Sequence, residues 1–110
     1  MAVSDQDQVF NAEAIRVTSA VNSNNSESGE FQAKTVLIHN GLDKSVAIQL
    51  QGCNNDGVWI DIGDPFNVAA GVNDYDTVTD YFPCYRVSAI CSVAPTTGDL
   101  DVWILKSGGK

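Results

Sequence analysis

At 110 residues, with 44% apolar and 18% charged side chains, the chain has the size and composition of one globular domain and is too apolar to be disordered. Six basic residues against fourteen acidic ones give a formal net charge of −8. The bases are scattered at Arg16, Lys34, Lys44, Arg86, Lys106 and Lys110, so the clustered positive surface that a nucleic-acid partner requires is missing.

Taken in chain order, the first stretch, "MAVSDQDQVFNAEA", has neither the basic start and apolar run of a secretory signal nor the length of apolar chain that spans a membrane. The expectation is a protein made in the cytoplasm, with no membrane partner, whose residues 1–12 form a flexible arm ahead of a domain over 13–110. Val17, Thr18 and Val21 are β-branched, which favours a strand over 13–22 in spite of the alanines. "NSNNSESGE" (22–30) has nothing to bury and reads as an exposed loop.

From there, short runs of period two alternate with turn-forming clusters. "KTVLIHN" (34–40) is a strand stopped by "NGLDKS". "SVAIQLQG" (45–52) places Val46, Ile48 and Leu50 on one face. Asp56–Gly57 signals a hairpin, because glycine accepts the positive φ of a tight turn. "VWIDIG" (58–63), "FNVAAG" (66–71) and "YDTVTDY" (75–81) follow as short strands, then "CYRVSAICSVA" (84–94) and "DLDVWILK" (99–106). "PTTG" between the last two reads as a hairpin loop. The sum is an all-β, single-domain antiparallel β-sandwich of seven to eight strands, of jelly-roll or immunoglobulin-like type.

Chemical motifs are scarce. His39 stands alone at a strand end, and there is no nucleophile elbow, phosphate-binding glycine loop or Cys-x-x-Cys. The chain is therefore expected not to be an enzyme, and no catalytic residue, metal or cofactor is assigned. Asp61, Asp64, Asp74, Asp76 and Asp80 sit in turn-rich stretches where aspartates are common in solvent and lack the spacing of a helix-loop-helix calcium loop. Three cysteines make a poor disulfide framework. Cys84 and Cys91, on one strand, would lie about 23 Å apart on opposite faces. Cys91 is expected to be a buried thiol, and a Cys53–Cys84 bridge stays open against the rarity of disulfides in the cytosol. Aromatic residues supply a glycan-stacking option, with Trp59 in its hairpin the first ring to suspect.

Several strands carry apolar residues on both faces. In 98–106, Leu100, Val102 and Ile104 alternate inward while Trp103 and Leu105 point the other way. A hairpin between the last two strands would set Ile90 beside Trp103 and Leu105 as a second apolar patch, covered either by the N-terminal segment with Val9, Phe10 and Ile15 or by another subunit. Ile90, Trp103, Leu105, Val9 and Phe10 are accordingly the candidate interface residues.

The segments "N-x-L-D-x-x-V" (40–46), "D-G-x-W" (56–59), "Y-R-V" (85–87) and "A-P-T-x-G-x-L-x-V" (94–102) resemble small β-sandwich structural proteins of tailed bacteriophages, over about residues 34–106. That resemblance implies a non-enzymatic virion component, a capsid decoration (cement) or accessory tail protein. It would assemble as a homo-oligomer, a trimer for instance, on a major capsid or tail protein. A carbohydrate-binding module is the alternative.

Overall fold

The structure, a computed structural model, describes residues 4–27, 33–54, 56–78 and 82–107. Among the described residues there are eight strands: β1 (Ser4–Glu13), β2 (Val21–Asn22), β3 (Ala33–Asn40), β4 (Val46–Cys53), β5 (Trp59–Val68), β6 (Asn73–Val78), β7 (Cys84–Ile90) and β8 (Leu100–Ser107). They form two four-stranded sheets in the orders β1-β8-β3-β6 and β2-β7-β4-β5. β1 pairs with β8, β2 with β7, β3 with β6 and β4 with β5, all antiparallel. These nested pairs are the strand order of a jelly roll, which decides between the two sandwich types left open by the sequence.

Period-two alternation builds the core between the sheets. Val36 and Ile38 of β3, with Leu100, Val102 and Ile104 of β8, face Val46, Ile48 and Leu50 of β4 and Tyr85, Val87 and Ala89 of β7; all are buried. At one end the interior turns polar. Lys34 and Lys106 are directly opposite on β3 and β8, and both are buried. The Lys34 ammonium lies 4.9 Å from the centre of the Tyr85 ring, a cation–π distance. Lys106 Nζ donates to Asp7 at 2.9 Å, and the Ser26 hydroxyl donates to the same carboxylate at 2.6 Å. Burial pushes the Asp7 carboxyl up, but Ser26 and the Lys106 ammonium together outweigh it and hold Asp7 below the usual carboxylate value.

At the other end Asn40 gathers two connections. Its Nδ2 donates to the carbonyls of Lys44, Val68 and Ala69 at 3.0, 2.9 and 3.2 Å, and its Oδ1 accepts the Leu42 N–H at 3.0 Å. Gly98 closes this end with φ +84°; a Cβ there would stand 1.9 Å from the Gly41 carbonyl oxygen, so no other residue fits.

Several elements differ from the sequence reading. Ser4–Glu13 form the strand β1 against β8 rather than a loose arm, while residues 1–3 lie outside the described residues. Of the strand expected over 13–22, only Glu13, the last residue of β1, and Val21–Asn22 lie in strands, and Val17 is exposed. Part of the expected 22–30 loop, residues 28–30, is also outside the described set, and within it Ser26 is buried. The two short strands expected over 58–63 and 66–71 are one strand, β5, with a register shift opposite Ile48 and Leu50; Pro65 is tolerated because β5 is an edge. β7 and β8 belong to different sheets, so "PTTG" spans the sandwich and is not a hairpin loop. Among the described strands only β4 and β5 are consecutive and paired. Cys53 and Cys84 are opposite each other on β4 and β7 and are disulfide-bonded, with Cα atoms 5.4 Å apart, the bridge that the sequence left open. Cys91 is buried and free, and burial pushes its thiol up.

Candidate interaction surface

Inward alternation on β3 and β8 obliges Leu37, Trp103 and Leu105 to face outward on the first sheet. The register sets Tyr75, Leu37 and Trp103 in one row across β6, β3 and β8, with Gln8 of β1 next in line. The neighbouring row is Thr77, Thr35, Leu105 and Gln6. Trp103, Leu105 and Leu37 are half-buried, whereas Tyr75 is 65% exposed. Directly opposite side chains lie about 4.5–5.5 Å apart at Cβ, so each side chain of the row is flanked by its cross-strand neighbours.

The face is almost uncharged. Of the chain's fourteen acidic residues, Asp101 falls in the next row, between β1 and His39. Its carboxylate accepts the Ala12 N–H at 2.8 Å and Gln8 Nε2 at 3.1 Å. His39 Nδ1 is hydrogen-bonded to Asn73 Oδ1. An aromatic row with few charges, on a chain of net charge −8, has the composition of the centre of a protein–protein contact.

The other candidates do not join it. Ile90 is 44% exposed, but on the outer face of the second sheet, because β7 pairs with β4 and β2 instead of β8. Val9 and Phe10 are each only 2% exposed. A register shift between Gln8 and Phe10 turns both consecutive side chains into the core, so they neither cover Trp103 nor present a surface. Tyr75 completes the row and was not singled out as an interface residue. The signal was present in "NDYDTV", where Asn73, Tyr75 and Thr77 alternate with two aspartates.

The sheet edges are closed to strand addition. Asp74 and Asp76 pair with the inward-facing Ile38 and Val36, which makes them inward-pointing charges on an edge strand, a device against edge-to-edge pairing. Their carboxylates accept the N–H groups of Tyr75 and Thr77 at 2.8 and 2.9 Å. β5 carries Pro65 and a shift in register. β1 has two register shifts and a positive φ of 50° at Ala12, and β2 is two residues long.

Asp61 accepts Gln51 Nε2 at 2.8 Å, Asp64 is exposed, and Asp80 lies outside the described residues. Among the described residues no three His, Cys, Asp or Glu side chains converge to hold a metal. Trp59 sits on the outer face of the second sheet with the Arg86 guanidinium 4.1 Å from its ring centre.

No family model and no curated protein matches the sequence. Solved structures match the fold. The structure of "PBSX exported protein XepA" aligns with a TM-score of 0.71 at 18% identity over 98% of this chain; the chain spans 37% of that protein's length. The structure of "SPBc2 prophage-derived protein YomS" aligns with a TM-score of 0.65 at 17% identity over 98% of this chain and 96% of that one. A structure described as "Bacillus endospore appendages form a novel family of disulfide-linked pili" aligns with a TM-score of 0.55 at 17% identity, over 96% and 87% of the two chains. At these identities the likeness is one of fold.

Proposed function

We propose that the chain is a non-enzymatic virion structural protein, a capsid decoration or accessory tail protein, which docks through the outer face of the β1-β8-β3-β6 sheet. The observation that carries this reading is the row Tyr75–Leu37–Trp103: apolar, outward-facing and free of charge on an otherwise acidic chain. The closed edges direct association to this face. The first partner is a second copy of the chain, since a nearly neutral patch lets two like-charged molecules meet without repulsion. The second is the major capsid or tail protein beneath. The fold shared with an exported prophage protein, another prophage-derived protein and a pilus subunit supports the reading. Burying a few hundred Å² of apolar surface at about 25 cal/mol per Å² yields several kcal/mol before the cost of association, and repetition on a lattice multiplies weak contacts.

The test is solution mass by light scattering after size exclusion, for the wild type and for Trp103→Glu. A discrete oligomer that the variant reduces to monomer is the expected result. A monomer in both, or an oligomer untouched by the variant, would overturn self-association through this face.

A further inference from the structure

On the opposite side of the sandwich from the docking face, Trp59 lines a depression of about 340 Å³ together with Asn25, Glu27, Asn54 and the Cys53–Cys84 disulfide. We propose that this depression binds a neutral saccharide, an activity separate from docking. Its volume falls in the range of small-ligand sites. The guanidinium of Arg86 occupies one face of the Trp59 ring and is itself held by Gln51 Oε1 at 2.8 Å from Nε. The indole is thereby held in orientation before any ligand arrives, and it forms part of the lining of the depression. Sugar rings present C–H faces that pack on such a ring, and hydroxyls that need donors and acceptors together. The two amides meet both needs, and Glu27 adds an acceptor. Among the described residues neither Lys nor Arg lines the depression and Glu27 does, which disfavours an anion.

Each wall is anchored. Asn54 Oδ1 accepts the N–H groups of Asp56 and Val58, both at 2.9 Å, so its Nδ2 is the atom left to donate. Cys53 is opposite both Trp59 on β5 and Cys84 on β7, and the disulfide stiffens that corner. The strip carrying Asn25 and Glu27 is pinned by paired backbone hydrogen bonds between Ser26 and Tyr85, at 2.7 and 2.8 Å. A site built on fixed elements loses little entropy when it is filled.

The chain has two tryptophans, so Trp103→Phe leaves Trp59 as the sole indole, read by excitation that tyrosine does not absorb. The probes are maltotetraose, cellotetraose, mannotetraose and tetra-N-acetylchitotetraose at millimolar concentration, with tetralysine as the cationic comparison. At least one tetrasaccharide should shift Trp59 emission saturably and move the Asn25 and Asn54 amide resonances. By calorimetry, Trp59→Ala should weaken that binding by about tenfold or more, and Asn25→Ala, which keeps the ring, should weaken it as well. Silence toward all four sugars, a response to tetralysine alone, or binding that survives Trp59→Ala would each overturn the proposal. None of these results touches the Trp103 face, whose oligomer test is read separately.

Discussion

Asp43 and Thr96, 53 residues apart, are joined through both carboxylate oxygens: Oδ1 accepts the Thr96 N–H and Oδ2 accepts the Thr96 hydroxyl. The Asp43 N–H donates in turn to the Thr97 carbonyl at 3.2 Å. The connection from β3 to β4 is thus tied to the connection from β7 to β8 where both cross between the sheets. The segments "N-x-L-D" and "A-P-T-x-G" meet here, so they mark how one end of the jelly roll is closed.

The Thr96 hydroxyl, foremost, and the Thr96 N–H hold the Asp43 carboxyl down at about 2. A group whose folded value is depressed contributes stability above its unfolded value, near 3.8, and that contribution is lost as pH falls toward the folded one. Asp43→Ala should therefore lower the thermal midpoint at pH 7, and the gap from wild type should narrow between about pH 4 and pH 2. Thr96→Val should reproduce part of the loss. A gap that stays constant through that window would show that the carboxylate is not the tie.

Asn40 makes a sharper case, because its amide must donate. Asn40→Asp keeps the shape but sets a buried carboxylate against the three carbonyls that the amide now serves. The expected cost is about 3 kcal/mol at pH 7 in urea unfolding. The new carboxyl would have a raised value in the folded state, so the cost should shrink as pH falls through that value, opposite in sign to the wild-type trend at Asp43. A variant as stable as wild type at pH 7 would contradict the bonding described.

The alternation of Val46, Ile48 and Leu50, and of Leu100, Val102 and Ile104, made the core legible because burial on one face imposes period two. What crosses between sheets was not legible. Turn residues such as "PTTG" and "NGLDKS" look alike whether the chain returns beside itself or passes to the opposite sheet, and only pairing tells them apart. That ambiguity brought Ile90 to Trp103 on paper and put it on the far sheet in the fold. β1 was hidden by its polar start, "SDQDQ", whose half-buried Asp7 is held by the buried Lys106 and Ser26, partners distant in sequence. Trp103 and Leu105 were legible as outward residues since their parity depends on no long-range pairing. Tyr75 became their neighbour only through the register of β6.

Gly52 and Phe82 are a close approach that neither residue announces in sequence. A Cβ on Gly52 would lie 2.5 Å from a Phe82 ring carbon, and Phe82 packs on the core while meeting Tyr85 edge-on at 6.0 Å. Gly52→Ala should cost about 1–3 kcal/mol by overpacking. Phe82→Leu should remove much of that penalty, so the double variant should be less destabilised than the sum of the two singles. Strict additivity in urea melts would place the ring elsewhere.

The disulfide is open to a direct count. With Cys53 bonded to Cys84 and Cys91 buried, the unfolded, unreduced protein should titrate one thiol, and three after reduction. Closing a loop across a sequence separation of 31 stabilises by about 3–4 kcal/mol on the chain-entropy model. Cys53→Ala with Cys84→Ala should lose stability of that order in urea, less whatever the small alanines recover by relaxed packing. Because β4 and β7 remain paired along seven positions without it, the double variant should still fold and keep its oligomeric state. It should, however, loosen the corner that holds Trp59. Loss of the Trp103-dependent oligomer together with the disulfide would show that the two faces are not independent, against the separation of docking and binding drawn from their places on opposite sheets.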